Sequence, residues 1–236
     1  MIAHNDFTIT PLGDAALIIN FDNIIDEDIN KKVLQLFQQL SIQKLNGVKD
    51  IVPAYSSLTI HYDAAAIKLN IINYRPAFEI LQEDIKKTLT VYPETEIPYS
   101  QKIKIPVCYS EKYALDINDI SKEKNLSIDE IIRLHTAKKY RVYMTGFLPG
   151  FAYMGIVDEK IIMPRKPQPR TNVAAGSVGI AGIQTGIYPL DSPGGWQIIG
   201  KTPVKLFDKE KDDPVLLQPG DEIEFYSITE DEFANY

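Results

Sequence analysis

Apolar residues Ile25, Ile29, Val33, Leu36, Phe37 and Leu40 recur at steps of four, four, three, one and three. That spacing follows the helical turn and predicts one amphipathic helix with its apolar face toward a core. Ahead of it, AALIINF (15–21) is a short apolar run of strand character, and Gly47 closes the region behind. Residues 50–52 and SLTIHY (57–62) read as two further strands broken by Pro53. Phe78, Leu81, Ile85 and Leu89 mark one side of a second helix after Pro76, and proline is tolerated at a helix start. Lys102–Cys108 then alternates as another strand. The order strand–helix–strand–strand–helix–strand suggests a ferredoxin-like α+β domain. VYPETEIPYSQ (91–101), with two prolines and no periodicity, reads as a linker. The expected division is therefore 1–92 and 93–236.

In the second part, Ser127-Ile128-Asp129-Glu130 predicts a capping box, with Ser127 and Glu130 each satisfying the other's free N–H. It opens a helix carrying Ile131, Ile132, Leu134 and His135. Tyr140, Val142 and Met144 alternate with Arg141, Tyr143 and Thr145, so a strand follows. Beyond Gly146 come short β runs punctuated by turns: SVGIAG, QTGIYPL, WQIIGKT, VKLF, and DEIEFYSI after Pro219-Gly220. Many short strands with this punctuation indicate a barrel or a sandwich.

Composition changes the picture in one segment. Ten of the thirteen glycines fall between Gly146 and Gly200. Glycine serves where φ must be positive or where backbone must approach something closely. The same segment holds Asp158, Glu159 and Asp191 against Lys160, Arg165, Lys166 and Arg170, whereas the whole chain carries a net charge of −7. The acidic balance argues against a general nucleic-acid binder. No apolar run approaches the ~20 residues that cross a bilayer, and MIAHNDFTIT lacks the features of a secretory signal. The single cysteine, Cys108, excludes an internal disulfide and reads as a small buried apolar residue in a strand. A reducing, cytoplasmic location fits these features.

Several motifs invite chemistry. Gly195–Thr202 spells the phosphate-loop pattern G-x-x-x-x-G-K-T. Its Trp-Gln-Ile-Ile interior favours a strand, and no helix N-terminus follows to hold phosphate. Pro164–Arg170 (PRKPQPR) sets three cations on a proline-stiffened loop. Arginine forks suit carboxylate or phosphate; the alternative is a solvated basic loop. Ser192 has the hydroxyl of a nucleophile, but nothing nearby in sequence supplies a base, and His4, His61 and His135 are scattered. His135 is either a satisfied core histidine or a catalytic one. Phe147, Phe151, Tyr153, Tyr188 and Trp196 are either core or the walls of a groove for a small ligand. No His/Cys/Asp cluster has metal spacing, so no metal is expected.

Together, TGFLPGFAYMG, PRKPQPRTNVAAGSVGIAGIQTGIYP and SPGGWQIIGKTPVKLFD resemble the allophanate hydrolase subunit 1 family. That family includes the B component of bacterial 5-oxoprolinase and the Kip inhibitor of a sporulation histidine kinase. The likeness extends to LGDAALII, VPAYSSLTIHYD, IPVCY and LHTAKKYRVYM. Ala174 and Ala152 stand where the family usually has proline, which loosens two turns without removing a functional group. The resemblance implies an N-terminal α/β domain followed by a cyclophilin-like β-barrel. It implies partnership with the C component of 5-oxoprolinase, related to allophanate hydrolase subunit 2, and with its A component. The assembly opens 5-oxo-L-proline to L-glutamate with hydrolysis of ATP, and a single chain is inactive alone. Whether ATP touches this chain is left open. The alternatives are a Kip-type inhibitor that docks on a histidine kinase, and a biotin-using carboxyltransferase half-site. On the reading of the residues themselves, the candidate catalytic residues are Arg165, Arg170 and His135. The candidate ligand-binding residues are Phe147, Pro149, Gly150, Phe151, Tyr153, Ser177, Gln184, Thr185, Tyr188, Ser192 and Trp196.

Overall fold

The computed structural model describes residues 7–68, 75–91 and 100–236. His4 and most of the expected linker lie outside the described residues. The chain divides into two units, Met1–Tyr99 and Ser100–Tyr236.

The first unit holds strands β1 (Thr8–Pro11), β2 (Ala16–Asn20), β3 (Val48–Pro53) and β4 (Ser57–Tyr62), and helices α1 (Glu27–Gln43), α2 (Ala64–Lys68) and α3 (Ala77–Val91). The strands form one antiparallel sheet in the order β1-β2-β4-β3. Asp26 caps α1 by accepting from the N–H groups of Asp28 and Ile29 at 2.9 Å. Val33, Leu36 and Leu40 on α1 bury against Leu17, Ile19, Leu58 and Ile60 from the sheet and Leu81 and Ile85 from α3. The expected elements are present, with one reassignment. Lys102–Cys108, read from sequence as the closing strand of a ferredoxin-like domain, belongs to the second unit. The edge place beside β2 is filled by β1, because Thr8–Pro11 returns as a hairpin with full register onto Leu17–Asn20.

The second unit is built on β5 (Lys102–Cys108), α4 (Ile117–Lys124), α5 (Ile128–Thr136), β6 (Lys139–Thr145), β7 (Ala152–Gly155), β8 (Arg170–Val173), β9 (Ser177–Ala181), β10 (Gln184–Ile187), β11 (Ser192–Gly194), β12 (Gln197–Lys201), β13 (Glu222–Ile228) and α6 (Glu230–Ala234). Seven strands close a barrel in the order β10-β7-β6-β13-β5-β12-β9, while β11 and β8 form a separate two-stranded ribbon. The β5–β13 pair is parallel along its whole length, Lys102 to Cys108 against Glu222 to Ile228. The α5 capping box is half formed. Ser127 Oγ accepts from the Glu130 N–H, but the Glu130 carboxylate turns to a two-bond fork with Arg133 at 2.7 and 2.8 Å. A full capping box stands instead at α6, between Thr229 and Glu232. The phosphate-loop lookalike is strand β12, as its side chains dictate.

Strand alternation gives the barrel wall two distinct faces. Inside lie Ile105, Val107, Tyr140, Val142, Met154, Val178, Ile180, Ile187, Ile199 and Phe225. Outside, Phe151, Val173, Ala181, Tyr188, Trp196 and Ile198 form a second cluster. The central outward positions of β9 and β10, Gly179 and Gly186, are held by glycines for a packing reason. A Cβ on Gly186 would meet the Trp196 ring at 3.0 Å and the Phe151 ring at 3.1 Å. The absent side chains make the room into which the indole lies.

Candidate functional site

The outer aromatic layer is built around Phe151, which is 1% exposed. Its ring makes edge contacts with Phe147 at 5.7 Å, Tyr188 at 5.2 Å and Trp196 at 5.4 Å, and tilts against Tyr153 at 4.8 Å. These are the offset and T-shaped arrangements that the ring quadrupole favours. Above them opens a cavity of about 240 Å³, lined by Phe147, Tyr153, Arg165, Pro169, Tyr188, Pro193, Gly194, Gly195 and Trp196. Gly194 allows Tyr188 to stand where it does: a Cβ there would collide with the Tyr188 hydroxyl. Phe147 is 62% exposed and holds a positive φ of 68°, a conformation that non-glycine residues adopt at a cost. It separates this cavity from a neighbouring one of about 370 Å³ that includes Pro149, Gly150 and Val215. A groove of the first unit, about 460 Å³ beside α1 and β3, has Phe37 as its one aromatic lining residue.

The basic loop 164–170 is fastened at several points. Gln197 Nε2 donates to the Pro164 carbonyl at 3.0 Å, and the Lys166 N–H donates to the Gly195 carbonyl at 2.7 Å. Lys166 Nζ reaches Asp116 Oδ1 at 2.7 Å, and Arg170 forks onto both Asp116 oxygens at 2.6 and 2.9 Å. Arg165 sits between the two tethered residues Pro164 and Lys166. Among the described residues it has no carboxylate partner, and it faces the aromatic cavity. Its charge acts on both phenols. Burial raises the pKa of Tyr153 and Tyr188, and the nearby guanidinium opposes that rise. Both tyrosines therefore remain protonated at neutral pH.

Asp116 is 1% exposed. Burial pushes its carboxyl upward, but hydrogen bonds from Arg170, Lys166 and the Ile198 N–H outweigh that and hold it below the usual carboxylate range. Arg170 is thus committed to an internal ion pair. The structure gives the two candidate arginines different situations, one neutralised by Asp116 and one open to the cavity.

His135 lies on the other side of the wall, 0% exposed. Thr185 Oγ1 donates to the Gly179 carbonyl at 3.0 Å, so it accepts from His135 Nε2 at 3.0 Å; Nδ1 then accepts from the Tyr109 hydroxyl at 2.7 Å. The imidazole stacks on Phe225 at 4.7 Å. Burial lowers its pKa to about 3. It is a neutral, fully bonded core histidine, separated from the cavity by strand β10.

The remaining candidates divide similarly. Phe147, Tyr153, Tyr188 and Trp196 line the cavity, and Phe151 supports it from below. Pro149 and Gly150 belong to the neighbouring hollow. Thr185 faces the barrel interior with His135. Ser177 is buried at the start of β9, where its carbonyl accepts from the Tyr188 N–H at 2.9 Å. Gln184 is half-buried at the start of β10. Ser192 is buried on β11, with an Oγ that has no hydrogen-bond partner among the described residues. Cys108 is buried and free. Sequence reasoning missed Asp116, whose only signal was that of an ordinary aspartate ahead of a helix, and missed Pro169, Pro193, Gly194 and Gly195 as lining residues. Among the described residues, no group of three His, Cys, Asp or Glu side chains stands in position to hold a metal, and no helix is long and apolar enough to cross a membrane.

What this site can do chemically is narrow. One cation with a forked set of donors and a wall of rings suit a small, flat, anionic molecule. The lining offers no carboxylate, imidazole or amine to move a proton.

The chain is 38% identical to the B component of the 5-oxoprolinase of Bacillus subtilis (strain 168), over 98% of this chain and 96% of that one. It is 34% identical to the corresponding 5-oxoprolinase component of Escherichia coli O157:H7, over 91% and 93%. The crystal structure of Kluyveromyces lactis urea carboxylase shares the fold, with a TM-score of 0.74 and 20% identity over 97% of this chain and 22% of that chain. Residues 7–217 match the family described as carboxyltransferase domain, subdomain C and D, and with a match spanning both units the chain belongs to that family.

Proposed function

We propose that this chain is the B component of a 5-oxoprolinase, acting with the A and C components to open 5-oxo-L-proline to L-glutamate with hydrolysis of ATP. The observation that carries the reading is the Arg165 guanidinium, which faces an aromatic cavity without a carboxylate of its own among the described residues. In this reading Arg165 forks onto the carboxylate of 5-oxo-L-proline, and Tyr153, Tyr188 and Trp196 pack the lactam ring. The tyrosine hydroxyls, kept protonated by burial, can donate to the ring's carbonyl oxygen.

The lactam is resonance-stabilised, so its C–N bond breaks only after the carbonyl is activated. ATP supplies that activation by passing its γ-phosphoryl group to the carbonyl oxygen with release of ADP; water attacks the activated carbon, the ring nitrogen leaves as the amine, and a second water releases the phosphoryl group as inorganic phosphate to give glutamate. This chain's residues bind and orient the ring. The cavity, about 240 Å³, is below the ~300–1,000 Å³ that drug-sized ligands occupy, so the nucleotide is bound elsewhere in the assembly. The groups that transfer phosphate and activate water come from the companion components, which makes the isolated chain catalytically incomplete.

The test is reconstitution. Glutamate release is followed with ATP, 5-oxo-L-proline and all three components, then with this chain omitted and with this chain alone. Turnover by the full set only is the expected result. Unchanged turnover without this chain, or ordinary enzyme rates from this chain by itself, would overturn the reading.

A further inference from the structure

Asp116 occupies the N-cap position of α4 but makes no side-chain cap bond. An aspartate there ordinarily accepts from the first-turn N–H groups, worth about 1 kcal/mol to the helix. Here the carboxylate turns away and directs its oxygens to the basic loop and the sheet. Oδ1 accepts from Lys166 Nζ at 2.7 Å and Arg170 Nη2 at 2.6 Å; Oδ2 accepts from Arg170 Nη1 at 2.9 Å and the Ile198 N–H at 2.6 Å. Its own N–H donates to the Ile198 carbonyl at 2.8 Å, so backbone and side chain both clamp it to β12. Ile198 is two residues from Trp196, which walls the cavity. One buried carboxylate thus ties together the helix start, the strand that follows the indole, and the two other cations of the loop that carries Arg165.

We propose that Asp116 is the positioning residue of this site: it anchors the loop 164–170 so that Arg165 is presented to the aromatic cavity. Two cations are consumed in the anchor and the third is left for the ligand. The loop's prolines, Pro164, Pro167 and Pro169, reduce the number of shapes the loop could otherwise take. Without Asp116, the Lys166 and Arg170 side chains would be released to solvent, and the loop around Arg165 would keep only the Gln197–Pro164 bond and the Lys166–Gly195 backbone bond of its ties. The inference extends the 5-oxoprolinase reading and rests on it for its kinetic test, but not for the proteolytic one.

Asp116→Asn keeps the shape and removes the charge. In the reconstituted three-component enzyme, the KM for 5-oxo-L-proline is expected to rise about tenfold with kcat within about twofold, the size of one weakened charged hydrogen bond. In an Arg165→Ala background, the same substitution is expected to change KM by less than about twofold, because the group being positioned is gone. A fall in kcat at constant KM, or equal effects in both backgrounds, would mean a purely structural role and overturns the proposal. On the purified chain, trypsin is expected to cut the Arg165–Lys166 bond about tenfold faster in Asp116→Asn than in the parent, while Lys166–Pro167 resists because proline follows; opening of a local segment sets the rate of such cleavage. An unchanged cleavage rate overturns the anchor. If Asp116→Asn does not fold, Lys166→Met retains the Asp116–Arg170 fork and removes one tie. A KM rise of about threefold is then expected, and no rise overturns the proposal. A wild-type assembly with no turnover would defeat the 5-oxoprolinase reading, while the cleavage rates would still decide whether Asp116 holds the loop.

Discussion

Strand β10 has two neighbouring residues with opposite surroundings. Thr185 points into the barrel and bonds His135, whereas Gly186 points outward and lies under Trp196. Both faces gather rings and polar groups, and both drew attention in the sequence. Inside, every polar group of the His135 cluster is matched by another, and the cluster is sealed. Outside, the rings stop at a cavity, and among the described residues one guanidinium, that of Arg165, has no carboxylate partner. A polar group invites a ligand when its own fold leaves it unmatched, not when its residue type is chemically versatile.

The sharpest way to break this comparison is to empty the interior. His135→Ala leaves the Tyr109 hydroxyl and Thr185 without their partner and opens a cavity in the core. We expect a loss of about 3–5 kcal/mol in urea denaturation. A loss below about 1 kcal/mol, with collapse of turnover in the surviving enzyme, would place function inside the barrel. The complementary experiment removes the outer cation. Arg165→Ala is expected to lower kcat/KM of the reconstituted enzyme about 100-fold, the cost of an ionic fork to a carboxylate, with the urea midpoint unchanged. If stability falls instead, Arg165 is structural and the two faces are alike.

Smaller effects refine the picture. Gly194→Ala puts a methyl against the Tyr188 hydroxyl, so a loss of about 1–3 kcal/mol in thermal denaturation is expected, together with weaker substrate binding. A neutral outcome would mean that the ring yields easily and that the cavity is not fixed. Acidity probes the interior again. The folded His135 has a pKa of about 3, whereas a free histidine titrates near 6.5. Between those values the unfolded chain takes up a proton that the folded chain refuses. Stability is therefore whole above pH 6.5 and falls as pH drops, by at most about 1.4 kcal/mol per unit from this group. His135→Gln is expected to flatten that portion of the pH profile. An identical slope in both proteins would assign the acid sensitivity to other groups.

Much of this was legible in the sequence because it depends on local pattern. The helix spacing from Val33 to Leu40, the alternation of Tyr140 to Thr145 and the short runs that became β9, β10, β12 and β13 each map onto an element, whereas the run Val204–Phe207 keeps only an isolated bridge from Phe207 to Val215. Partnership between distant segments was not legible. Lys102–Cys108 reads as a strand in any setting, and nothing in its alternation says that it pairs in parallel with Glu222–Ile228. The capping box at Ser127 had the right letters, but Arg133, one turn further on, drew off the Glu130 carboxylate. Within the site, the aromatic wall and Arg165 were visible as types and spacing. The division of labour between Arg165 and Arg170 was not, because it is set by Asp116, more than forty residues upstream.

The central claim is that the cavity binds the substrate through Arg165, and calorimetric titration of 5-oxo-L-proline into the purified chain tests it most directly. Saturable binding of one ligand per chain, abolished in Arg165→Ala and retained in His135→Gln, is the predicted result. Binding that is absent from the parent chain, or that survives Arg165→Ala undiminished, would contradict it.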